Sequence, residues 1–133
     1  MRIYLIYGLH WCFNIVTGPA GKPQAVLIRA LEPLAGLDLM RANLAGTDAP
    51  GHTLCRGPGK LCRAAGLDGS LYGIDMTAAD SALTVHPARR HRGEQIGRAP
   101  RIGVNYAGAW AARPWRMFIS GNPCVSGPRL ASR

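Results

Sequence analysis

Side chains able to carry acid–base or nucleophilic chemistry are few in this 133-residue chain. Its carboxylates are Glu32, Glu94, Asp38, Asp48, Asp68, Asp75 and Asp80, and no two of them stand out as a general acid and its base. Glu32 directly precedes Pro33, where a carboxylate would favour the positive end of a helix and its free N–H groups. Its expected role is therefore capping. His10, His52, His86 and His91 show neither metal-ligand spacing nor an obvious nucleophile partner, and are expected to be surface or core residues. Cys12, Cys55, Cys62 and Cys124 contain no C-x-x-C pair, which argues against a zinc site. With no secretory signal in view, a disulfide framework is not expected either. The four read as reduced, mostly buried thiols of a cytoplasmic protein.

Two stretches invite a phosphate reading. In "GPGKL", the phosphate-loop pattern would need a Gly at position 54 and a Ser or Thr at position 61, and both are Leu. A Gly-Pro helix start, which can meet an anion through backbone N–H groups, is the better account. Arg89, Arg90, Arg92, Arg98 and Arg101 form a basic run that suits phosphates and equally suits a solvated loop of like charges. Overall, 16 Lys and Arg stand against 7 Asp and Glu, a formal charge of +9, which favours a polyanionic partner, nucleic acid above all.

The elements that must position these groups follow from local pattern. Hydrophobic residues make up 47% of a chain of one-domain length, enough for a core of its own. "RIYLIYGLHWCFNIV" is rich in β-branched and aromatic residues, predicting a strand pair or one bent strand over 3–16 with Gly8 as the flex point. It is no signal peptide, because Tyr4, Tyr7, His10, Trp11 and Asn14 interrupt the apolar run and no small-residue cleavage site follows. It is also too short to span a membrane. Beyond a Gly/Pro turn, residues 25–30 resume strand character and should pair antiparallel with the first. Pro33 suits a helix start, with Leu34, Leu37, Met40 and Leu44 on one face and Gly46 at the end. A second helix should run from Pro58 to Gly66. "LTVH" is a candidate strand. "IGVNYAGAWAARPWRMFISG" predicts a strand, a turn around Gly108, and a second strand ending at Gly121. Strands at both ends with helices between them predict an α+β fold, an antiparallel sheet with flanking helices, in one domain over 1–126 with a loose tail over 127–133.

Read together, "YLIYGLHWCFN", "AVLIRALEPLAGLDLM", "LCRGPGKLCRA", "PRIGVNYAGAWAARPWR" and "GNPCVS" resemble successive blocks of the alkyladenine, or 3-methyladenine, DNA glycosylases. Order and spacing match from Ile3 to about Ser126. The resemblance implies a monofunctional base excision repair enzyme that hydrolyses the N-glycosidic bond of alkylated purines in double-stranded DNA. It implies no metal, no other cofactor and no covalent intermediate. The expected setting is a monomer in the cytoplasm, associated with the nucleoid and with no membrane contact.

Chemistry on a stacked base requires flipping the nucleotide into a pocket and filling the gap left behind. By resemblance, Tyr7 is the wedge, entering from the minor groove. Tyr4 and His10 sandwich the base, with His10 standing where some members carry Tyr. Asn14 disfavours guanine's exocyclic amine through an unfavourable contact. Leu9 and Leu27 line the DNA or pocket side. Arg29 and the backbone carbonyl of Ile102 hold the attacking water.

The family's general base is a glutamate in a segment before the "YG" strand, followed by a pocket tyrosine and a histidine. Only Met1 and Arg2 precede that strand here, and Glu32 is no substitute, since members carry a glutamate at "ALEP" as well. The expectation is a domain lacking the family's N-terminal part, with Met1 an internal codon taken as the start. A shortened gene with an inactive product is the alternative. The activity expected of these 133 residues is accordingly impaired, and the competing readings are a non-catalytic basic DNA-binding remnant and an unstable fragment.

Overall fold

The computed structural model describes residues 2–6, 8–22, 24–87 and 93–127. Tyr7, the basic residues Arg89, Arg90 and Arg92, His91, and the tail beyond Gly127 lie outside the described residues, so the expectations placed on them are not addressed structurally.

The opening run forms a hairpin. β1 (Arg2–Ile6) pairs antiparallel with β2 (His10–Val16), bringing Ile3 opposite Phe13 and Tyr4 opposite Cys12. Gly8, at φ 69, supplies the left-handed residue of the turn. β3 (Ala25–Leu27) adds to β2 with Leu27 opposite Asn14, giving the sheet order β1-β2-β3. The strand is shorter than the six residues expected, but the chain stays extended beyond it. There Ile28 N–H donates to the Phe13 carbonyl at 2.9 Å, and Ala30 bridges Arg56.

The first helix starts later than Pro33 suggested. α1 covers Leu37–Asn43, capped by Gly36 in the left-handed region at φ 70. Residues 31 and 32 are held by other partners: Leu31 N–H donates to the Cys55 carbonyl at 3.3 Å and the Glu32 carboxylate accepts from Asn122. A residue before proline also disfavours the helical region. Glu32 is therefore not a cap, and Leu34, 89% exposed, does not join the face on which Met40 and Leu44 pack against the core.

A one-turn helix, α2 (Gly51–Leu54), leads into α3 (Pro58–Ala64), which begins at its proline as expected. Its end is a left-handed Gly66, with Leu67 N–H reaching back to the Cys62 carbonyl at 2.8 Å. α3 packs along β2, and Leu54, Leu61, Cys62 and Ala64 have no exposed surface. With Ile3, Phe13, Leu67 and Met76 they make the core. Each fully buried leucine contributes about 1.5–3 kcal/mol.

"LTVH" is not a strand. It is tied locally, by Val85 N–H to the Met76 carbonyl at 3.3 Å and Ser81 Oγ to the Leu83 carbonyl at 2.9 Å. A second, two-stranded sheet pairs β4 (Ile96–Ala99) with β5 (Arg116–Ile119). The strand expected from Ile102 onward is instead a 3₁₀ segment, Asn105–Trp110, bent at Gly108. Its pairing role falls to residues just upstream, inside the stretch that charge alone suggested was a loop. The architecture is α+β, as expected: small antiparallel sheets with short helices between them in chain order, α3 packing on β2.

Candidate functional site

A groove of about 990 Å³ lies along the Asn14–Val16 end of the first sheet. One wall is β2, β3 and the extended segment through Glu32. The other is the chain from Arg101 to Tyr106 together with β5 and residues 122–126. Tyr4, Asn14, Leu27, Arg29 and Ile102 all line it. The strand register explains the first three. Tyr4 is directly across from Cys12, and Asn14, two residues further on the same face of β2, is directly across from Leu27.

His10 and Leu9 are elsewhere. They line a second depression of about 600 Å³ with Lys60 and Arg63. Four residues of strand separate His10 from Asn14, roughly 13 Å at about 3.3 Å per residue. α3 closes over the His10 end: a Cβ added at Gly59 would meet the His10 ring at 3.2 Å. Tyr4 and His10 thus line different cavities, although Cys12, the residue opposite Tyr4, is only two positions from His10 on the same face of β2. Tyr4 keeps company with Arg29 and Ile102, and His10 with α3.

Arg29 is half-buried and its Nε has no hydrogen-bond partner among the described residues; Arg101 Nε shares that condition. Burial pushes the Arg29 pKa down, neighbouring Arg116 pushes it further, and Cys12 partly offsets both. A guanidinium nevertheless stays charged in proteins. Arg116 is buried and satisfied, its Nε donating to the Pro100 carbonyl and its Nη1 to the Ser126 carbonyl, each at 3.2 Å. Those two bonds clamp the start of the 101–106 wall against its end near Ser126. Arg56 fixes the same end from the other side, donating from Nε to the Val125 carbonyl at 2.8 Å. Asn14, 5% exposed, donates within its own strand to the Cys12 carbonyl at 3.3 Å. The Ile102 carbonyl accepts no hydrogen bond among the described residues.

Lys22, Arg29, Arg101 and Arg116 face the groove against a single carboxylate, Glu32. The cavity is therefore cationic, apolar along Leu27 and Ile102, and edged by Tyr4, Trp115 and Phe118. Such a site can hold a flat heteroaromatic group and set the Arg29 guanidinium, one of its lining groups, against a water or an anionic oxygen. Sequence reasoning had not singled out Tyr106, Trp110 or Trp115. Their signal was present as aromatics interleaved with Arg101, Arg113 and Arg116 near one end of the chain. Among the described residues, no three His, Cys, Asp or Glu side chains converge as a metal site would need, and no helix is long and apolar enough to cross a membrane.

A family model described as Methylpurine-DNA glycosylase (MPG) matches residues 1–123. Proteins named "Putative 3-methyladenine DNA glycosylase" from Bacillus cereus (strain AH820) and Bacillus anthracis (strain A0248) are each 42% identical over 130 residues. One from Bacillus thuringiensis (strain Al Hakam) is 41% identical over the same span. Each match covers 93% of this chain and 63% of the relative, so the chain spans a little under two thirds of their length. With five positions of the resemblance lining one cationic groove and the match running through nearly the whole sequence, the chain belongs to the methylpurine-DNA glycosylase family.

Proposed function

We propose that this chain supplies the base-receiving half of a monofunctional DNA glycosylase that hydrolyses the N-glycosidic bond of alkylated purines in duplex DNA. The observation that carries it is the single groove shared by Tyr4, Asn14, Leu27, Arg29 and Ile102. An extruded purine enters with Tyr4 against its face and Leu27 beneath it. Asn14 opposes guanine's exocyclic amine, which biases the pocket toward altered adenines and related bases. The attacking water sits between the Arg29 guanidinium and the Ile102 carbonyl, which line the same groove and orient it toward the sugar carbon. Water's oxygen bonds to that carbon as the bond to the base nitrogen breaks, and the base leaves with the bond's electron pair. The proton the water gives up passes to solvent when the base departs neutral, or to the base when it would otherwise depart as an anion. Tyr7 fills the vacated stack, and Leu9 and His10, which line the second depression, meet the DNA. The working unit is a monomer bound to the nucleoid.

The carboxylate lining the groove is Glu32, which is tied to Asn122. General-base assistance is typically worth about 10²–10⁴-fold, so with no other carboxylate at the cavity among the described residues, these 133 residues should bind lesion-containing duplex and release bases slowly. A second reading, duplex binding without turnover, is favoured by the same cationic lining taken alone. Incubation with duplexes containing hypoxanthine or ethenoadenine tests both. Salt-sensitive binding with slow release that Arg29→Ala abolishes supports the first, and binding with no release at all supports the second. Release that Arg29→Ala leaves undiminished would overturn the assignment of Arg29 as a support of the water, and a flat salt response would overturn both readings.

A further inference from the structure

At the edge of the groove, which Trp115 helps to line, stands an aromatic pair to which base reception assigns no contact. The Trp110 and Trp115 rings lie 5.4 Å apart between centroids with planes 28° from parallel, an offset stack. Each carries a guanidinium 5.3 Å from its centroid, Arg113 on Trp110 and Arg101 on Trp115. The backbone holds this arrangement. Gly108, at φ 54 and ψ −133, bends the 3₁₀ segment in a conformation that L side chains rarely adopt. Arg101 Nη2 donates to the Trp110 carbonyl at 3.4 Å, and Trp115 N–H to the Arg113 carbonyl at 2.8 Å.

Stability does not account for the pair. Trp110 is 55% exposed and Trp115 56%, so two of the largest apolar side chains leave most of their burial unused. Tyr106 beside them is 86% exposed. Neither Arg101 nor Arg113 has a carboxylate partner among the described residues. Trp115, Tyr106 and Arg101 also line the groove, so the patch is continuous with it. Indoles that are stacked and flanked by guanidinium groups, yet still more than half exposed, with no carboxylate on those groups among the described residues, match a partner that alternates flat rings and negative charges.

We propose that Trp110 and Trp115, with Arg101 and Arg113, form a stacking shelf for unpaired nucleobases of single-stranded DNA. The proposal rests on DNA being the partner and adds a contact outside the pocket that does not depend on a lesion. Bases stack on the indoles whatever their identity, because every base has a π-face. The guanidinium groups meet the intervening phosphates.

The test compares binding of the 133-residue chain to two fluorescent oligomers, an oligothymidylate of about twelve nucleotides and an abasic deoxyribose-phosphate chain of equal length and charge. Fluorescence anisotropy at fixed salt should show the oligothymidylate binding about tenfold more tightly. The Trp110→Ala/Trp115→Ala variant should lose that preference while keeping its affinity for the abasic chain, and the Phe pair should retain part of it. Equal affinities for the wild type would overturn the proposal, as would an undiminished preference in the Ala pair. Should the Ala pair fail to fold by circular dichroism, tryptophan emission of the wild type decides: quenching by oligothymidylate alone supports the shelf, and equal quenching by both oligomers overturns it. A failure of the glycosylase reading looks different, because lesion duplex would go unrecognised while the thymidylate preference persisted. An acidic-peptide or lipid-headgroup site would recognise charge without regard to the bases and would give equal affinities.

Discussion

Asn122 Nδ2 donates to the Glu32 carboxylate at 2.9 Å, joining residues ninety positions apart and tying the two walls of the groove to each other. One comes from the extended segment after β3, the other from the turn after β5, and both line the cavity. Asn122 is itself fixed by its Oδ1, which accepts from Cys124 N–H at 2.8 Å. The width of the groove is therefore set by this bond together with the Arg56 and Arg116 clamps.

Asn122→Asp should set a second carboxylate against Glu32 and part the walls. A hydrogen bond to a charged group is worth about 1.5–3 kcal/mol, less at an exposed site, so a loss of about 1 kcal/mol in urea unfolding is expected. The double change Glu32→Gln/Asn122→Asp should recover most of it, since it removes the repulsion. No recovery would mean that the two walls are not coupled through this pair.

Arg29→Met should separate stability from function. The native side chain buries an unpartnered Nε and lies near another guanidinium, that of Arg116, both of which are unfavourable. A thioether of similar length removes both at the cost of any oxygen that Arg29 would hold. Thermal stability should hold or rise, by about 1 kcal/mol, while slow base release from lesion duplex disappears. A large drop in stability would show that the guanidinium is a structural tie after all.

The thiols give the pH dependence. Burial raises the pKa of Cys62 from 9.0 to about 11 and raises those of Cys12 and Cys55, so folding favours the neutral forms. A raised folded value means the stabilisation is complete below the unfolded pKa. It is lost as pH climbs from about 9 towards about 11. Urea midpoints should be flat through neutral pH and fall over that alkaline window. In the native state below pH 9 all four buried cysteines should resist a thiol reagent that labels them on unfolding. Rapid native labelling of Cys62 would contradict this packing.

Local chemistry made parts of this fold legible and hid others. The hairpin, β3 and α3 were readable because strand composition, a turn glycine and a Gly-Pro start all point the same way. The start of α1 was not, because Leu31 and Glu32 are claimed by Cys55 and Asn122, partners far off in sequence. Position-by-position resemblance led to Tyr4, Asn14, Leu27, Arg29 and Ile102, which the register of three strands and the Arg116 clamp then bring to one cavity. It could not show that α3 closes over His10, since residues on one strand face can still belong to different cavities. A turn around Gly108 was legible, but the residues before it have the composition of a strand, and only the 3₁₀ segment that stands in its place brings Trp110 against Trp115.

The central claim, that this groove receives an extruded alkylated purine, is tested most directly by the emission of a single ethenoadenine within a duplex. Titrating in the 133-residue chain should change that emission as the base leaves the stack, and Tyr4→Ala should reduce the change while duplex binding persists. Saturated binding with no emission change, or a change that Tyr4→Ala leaves intact, would contradict it.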